Sequence, residues 1–107
     1  MATVKWTDRA KAVRKELYWS GVMIFGSFTA LKMARKIESL TDALSLFPSM
    51  GFREPLLEKR SPIYRASLIN KRFKIIYWYN EANDMVIIED IWDTHRAPQN
   101  LIKRIKE

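Results

Sequence analysis

His95 is the only histidine of the 107-residue chain, and the chain has no cysteine. Neither a thiolate nucleophile nor a His/Cys set at metal-ligand spacing is therefore expected, so no metal and no cofactor enter the reading. The remaining residue types can move protons and hold anions. His95 has the one side chain type here suited to carry a proton in either direction, or serves structure alone. Arg96 follows it directly. Asp93, two residues before, either orients the imidazole or joins Thr94 in capping a C-terminal helix. Lys74 is the single charge in Phe73–Tyr79, where a cation either meets a phosphate or snorkels from a sheet edge to water. Arg65 follows Tyr64 and either faces phosphate or pairs across strands with Glu89 or Asp90. Lys71 and Arg72 stand at a turn, as a solvated tip or as contacts to nucleic acid. Tyr77, Trp78, Tyr79 and Trp92 offer faces on which bases can stack, and equally supply bulk for a core.

Nineteen Lys and Arg against twelve Asp and Glu leave a net charge of +7, which favours an anionic partner, either nucleic acid or an acidic protein. With 48% apolar residues, residues 1–107 suffice for one domain with its own core. The absence of cysteine suits a reducing compartment, and Met1–Asp8 carries no apolar segment of the secretory type, so a cytoplasmic location is expected. Leu17 to Leu31 has no charged residue, but these fifteen residues fall short of the roughly 20 that a spanning helix needs. They read as the packed corner of a helical hairpin, and no membrane partner is expected.

The elements that must position these side chains follow from periodicity and punctuation. Thr3–Trp6 forms a short strand, and Thr7 or Asp8 caps a helix running to about residue 25. Ser27 or Thr29 opens a second helix, with Ala30, Met33, Ile37, Leu40, Leu44 and Phe47 recurring at steps of three and four. Lys32, Arg35, Lys36 and Ser39 fall on its other side. Pro48 stops that helix and Gly51 turns the chain. After a loop through Glu58, Lys59, Arg60 and Pro62 come three β runs, Ile63–Ile69, Phe73–Tyr79 and Met85–Trp92, joined by short polar turns. Such connections favour an antiparallel meander with both helices packed on it, an α+β arrangement. Phe73–Tyr79, apolar on both alternating faces apart from Lys74, belongs at the centre of the sheet. A short basic helix with Leu101, Ile102 and Ile105 on its apolar side closes the chain.

Four stretches taken together, Leu44–Gly51, Ile63–Arg65, Phe73–Tyr77 and Ile87–Pro98, resemble the RelE/ParE toxin superfamily of type II toxin–antitoxin and plasmid-stabilisation systems in order and spacing. The resemblance spans nearly the whole chain. It implies a β-α-α-β-β-β fold, a cognate antitoxin that is acidic or amphipathic, and one of two targets: first, on the strength of His95 and the cation set, mRNA in the ribosome, cleaved in the RelE manner, and as the alternative DNA gyrase, inhibited without chemistry in the ParE manner. Metal-independent cleavage needs a proton acceptor, a proton donor and cations around the phosphate as the ribose 2′-hydroxyl attacks. Arg65, Lys74, His95 and Arg96 are the catalytic candidates under that reading, with Lys71, Arg72, Tyr77 and Tyr79 touching the nucleic acid. Lys74 stands where the family usually has Arg, which keeps a charge but loses the bidentate fork. Tyr18, Trp19, Met23 and Phe25 of the uncharged hairpin are expected to receive the antitoxin, or to form a homodimer through the same patch. A non-toxic nucleic-acid-binding relative is the remaining alternative.

Overall fold

The computed structural model describes residues 1–105. A strand, β1 (Thr3–Trp6), leads into the helical hairpin α1 (Asp8–Phe25) and α2 (Ser27–Leu46). Thr7 caps α1, its hydroxyl accepting the amide of Ala10 at 3.2 Å. Gly26 alone separates the two helices, at φ +89°, a backbone conformation that a side chain would strain. Strands β2 (Phe52–Arg53), β3 (Tyr64–Leu68), β4 (Phe73–Asn80) and β5 (Met85–Asp93) follow, then α3 (Pro98–Arg104). The expected α+β architecture is the observed one.

The sheet order is β1-β5-β4-β3-β2. Strands β2 to β5 form the antiparallel meander that their short turns favour. β1 joins the far side of β5 in parallel, making the sheet mixed. No turn connects β1 to β5, so turn length carries no information about that pairing. β4 is central, as its apolar run requires. Its neighbour β5 carries a register shift opposite Ile76 and Tyr77, which leaves Glu89 as a bulged residue between Ile88 and Asp90.

Both faces of the sheet are covered, which is why β4 is apolar on both. On one face Ile75, Tyr77, Val86, Ile88 and Ile91 pack against Ala10, Ile37 and Leu44 of the hairpin. On the other, Ala66, Ile76 and Trp92 pack against Leu57, Leu101 and Ile105. Each large side chain so buried contributes about 2 kcal/mol. Phe47, the last member of the expected α2 stripe, is 65% exposed. The helix ends at Leu46, and the helical period ends with it.

Tyr77 ties the meander to the end of α2. Its hydroxyl donates to the Pro48 carbonyl at 2.8 Å and accepts the Gly51 amide at 3.0 Å. A Cβ on Gly51 would stand 2.6 Å from the Ala66 carbonyl oxygen and 2.7 Å from the Tyr77 hydroxyl, so the close approach of the two chains depends on glycine.

Candidate functional site

Register decides which of the chemistry-bearing residues can act together. Arg65 pairs with Tyr77 and so lies on the hairpin face, where its guanidinium donates to the Gly51 carbonyl at 3.0 Å. Lys74, three residues from Tyr77 along β4, points to the opposite face, beside Trp92 and Leu68 on the neighbouring strands. The two cations are back to back, and no single phosphate can reach both. Nor does Arg65 pair with Glu89 or Asp90, because β4 lies between β3 and β5.

Lys74 does not snorkel to water. Its ammonium sits 2.6 Å from a carboxylate oxygen of Glu54, which is fully buried, and its side chain is only 12% exposed. The other Glu54 oxygen accepts the Leu56 amide at 3.2 Å and caps the short 3-10 turn Pro55–Leu57. Glu54 is therefore the residue that gives Lys74 its place. An acid immediately before a proline, in capping position, was its signal in the sequence.

His95 is exposed, and its backbone amide donates to Asp93 at 2.9 Å. Asp93 thus holds the turn rather than the imidazole. Its carboxylate grips Arg72 with two bonds, of 3.0 and 2.9 Å, and the Arg72 hydrogen bond holds its pKa below the usual carboxylate range. The Arg96 guanidinium lies 5.2 Å from the centre of the Trp92 ring, which Arg104 approaches to 5.8 Å. Trp92 is thereby a buried platform between two arginines. Tyr77 is a core residue. Tyr79 is half-buried and donates its hydroxyl to Asp84 at 2.6 Å, a bond that raises its pKa. Lys71 and Arg72 are exposed at the β3–β4 turn.

A second buried pair was invisible in the sequence. Asp90, fully buried, takes two bonds from Arg104 of α3, at 2.8 and 3.0 Å. Burial pushes the Asp90 carboxyl above its ordinary pKa in spite of that partner. Arg104 also accepts, through its carbonyl, a bond from Arg9 of α1, and Arg60 donates to the carbonyl of Ile102 at 2.6 Å. Arginines from three parts of the chain fasten the short α3 to the sheet.

The main concavity, about 1160 Å³, lies between the outer half of the hairpin and the end of the sheet where β4 begins and β5 ends. Leu17, Tyr18, Ile24, Phe25, Met33 and Phe73 give it an apolar lining. Seven cations line it as well, Lys11, Arg14, Lys15, Lys71, Arg72, Arg96 and Arg104, against the acids Glu16 and Asp93. Of the four hairpin residues expected to meet a partner, Tyr18, Trp19 and Phe25 line this groove, while Met23 stands outside it, 87% exposed. At the other end of β4 the turn carries Glu81 and Asp84, about 25 Å away at the rise of a strand. Among the charged residues that line the groove, cations thus predominate. Among the described residues no group of three or more His, Cys, Asp or Glu side chains gathers to hold a metal.

No protein-family model matches the sequence, and no curated protein sequence matches it. Solved structures do. A chain described as the chromosomal ParDE TA system from P. aeruginosa superposes with a TM-score of 0.68 at 22% identity, over 87% of this chain and 96% of that one. The two chains share a fold. A metal-bound toxin from Helicobacter pylori gives 0.65 at 10% identity, over 89% and 97%. A YoeB/ParE toxin from Agrobacterium tumefaciens gives 0.57 at 16%, over 85% and 96%. At such identities what is shared is the backbone, and the chemistry must be argued from this chain's own side chains.

Proposed function

We propose that the chain is the toxin of a toxin–antitoxin pair, held inactive by an acidic, amphipathic antitoxin segment seated in the groove. The groove itself carries this reading. Its apolar lining fits the buried face of a helix, and its cationic rim fits the acids that flank such a face. The P. aeruginosa relative is described as part of a TA system, which supports a partner of this kind. Titration calorimetry with an acidic amphipathic helical peptide tests the seat. Reversing two exposed rim charges together, Lys15→Glu and Lys71→Glu, should weaken binding about tenfold or more while the fold persists. Equal affinity for the double variant would refute the assignment.

On its target the toxin works by binding, as a ParE-type inhibitor of DNA gyrase, rather than by cutting RNA. Supporting this are the opposed directions of Arg65 and Lys74, the pairing of Lys74 with Glu54, the stacking of Arg96 and the exposure of His95. Inhibition of gyrase supercoiling by the purified protein is the expected result, and full gyrase activity at saturating toxin contradicts it. One observation favours the cleavage reading instead. Glu54 and Lys74 form an acid–cation couple of the sort that 2′-hydroxyl attack uses, although Glu54 is out of reach of solvent in this conformation. Loss of RNA cleavage in a Glu54→Gln variant would establish that alternative.

A further inference from the structure

The end of the hairpin projects past both cores. Leu17 and Met33 still pack on the sheet, and none of the residues between them belongs to either buried cluster. Beyond the contact of Gly21 with Ala30, the tip presents Met23 at 87% exposure, Phe28 at 83%, Ile24 at 70% and Phe25 at 68%, with Trp19 at 57% on its flank. Met23 and Phe28 stand outside the groove lining, so a groove-bound partner does not account for them. Behind this apolar tip comes a collar of charge: Lys11, Arg14, Lys15, Lys32, Arg35 and Lys36, with Glu16 as the one acid from residue 9 through residue 37.

We propose that the hairpin tip is a docking surface for anionic lipid, entering the headgroup layer while the collar meets lipid phosphates. At the rise of an α-helix, Lys32 lies about 8 Å and Lys15 about 15 Å behind the turn. Apolar faces of interfacial helices enter by about 5–10 Å, which brings the nearer cations to headgroup level. No helix among the described residues is long and apolar enough to cross a membrane, so the contact is peripheral. The expectation of no membrane role, which rested on span length, is revised to that extent. A second copy fits this tip less well. Two collars of one sign would approach each other, and the end of a helical hairpin offers little area compared with a stable interface. The proposal does not depend on the toxin reading.

Flotation of the full chain with vesicles tests it. Vesicles of equal parts phosphatidylglycerol and phosphatidylcholine should carry the protein, and pure phosphatidylcholine should not. The emission of Trp19 should shift to the blue on binding, a shift that Trp19→Phe removes. Phe25→Ser with Phe28→Ser, at positions outside both cores, should cut binding about tenfold, as should Lys32→Glu with Lys36→Glu. Circular dichroism of each variant checks that it is folded. Absence of flotation at low salt overturns the proposal. So does flotation unchanged by the serine pair, which is adsorption by net charge alone. So does a monomer–dimer equilibrium in lipid-free solution that the serine pair abolishes, which assigns the tip to a second copy.

Discussion

At the scale of single residues, two carboxylates with opposite shifts divide the charge chemistry of β5. Asp93, held below its ordinary pKa by Arg72, stabilises the fold at any pH above the usual carboxylate range. That contribution disappears as pH falls through its lowered value. The stability gap between the native chain and Asp93→Asn should therefore be full at neutral pH and close under acid, as followed by urea unfolding at a series of pH values. Asp90 behaves in the other sense. Its carboxyl is raised by burial, so the protonated form suits the folded state, and ionisation becomes a cost as pH rises through the raised value. Arg104→Met leaves this buried charge unpaired and should cost about 3 kcal/mol at neutral pH. The loss should shrink on acidification, when Asp90 takes up a proton; a loss equal at every pH would show that the packing of Arg104, and not its charge, is what matters. Lys74 marks the limit of reading at this scale. Its oddity within an apolar strand was plain, but its partner Glu54 lies twenty positions away on a turn, and no local pattern links the two.

The elements were legible wherever local physics decides them. The α2 stripe as far as Leu44, the Thr7 cap, the stop before Pro48 and the central place of β4 follow from period and punctuation, and the structure has them, with Phe47 alone of the stripe left exposed past the helix end. What escaped is what depends on distant segments. β1 pairs in parallel with β5 because the helical hairpin brings the chain back, and no turn records it. β2 is two residues long, too short for a period. Strand alternation alone set Arg65 and Lys74 on opposite faces, yet that was visible only once the β3–β4 register was known, since a slip of one residue reverses every side chain. Gly51, whose turn role was read from Pro48, has a stronger reason to be glycine in the Ala66 and Tyr77 contacts. Gly51→Ala should destabilise by about 1–3 kcal/mol, measured by thermal unfolding. An unchanged midpoint would mean that this junction yields without cost.

For the molecule as a whole, charge and shape coincide. The groove lies at the Lys71–Arg72 end of β4, and the turn with Glu81 and Asp84 lies at the other end of that strand, so an acidic partner of the proposed kind would be steered to the surface that also has the apolar lining. The sequence showed the excess of cations but not which of them line the groove. Its expectation of one concave catalytic surface did not survive register; of the hairpin residues it named for a partner, Tyr18, Trp19 and Phe25 line the groove and Met23 does not. The central proposal is that this chain, with Arg65 and Lys74 on opposite faces of the sheet, inhibits by binding and leaves RNA intact. Primer extension across several abundant transcripts, taken as growth arrests after induction, tests it most directly. Full-length messages in arrested cells are the predicted result, and new 5′ ends within coding regions, absent from an uninduced culture, would contradict it.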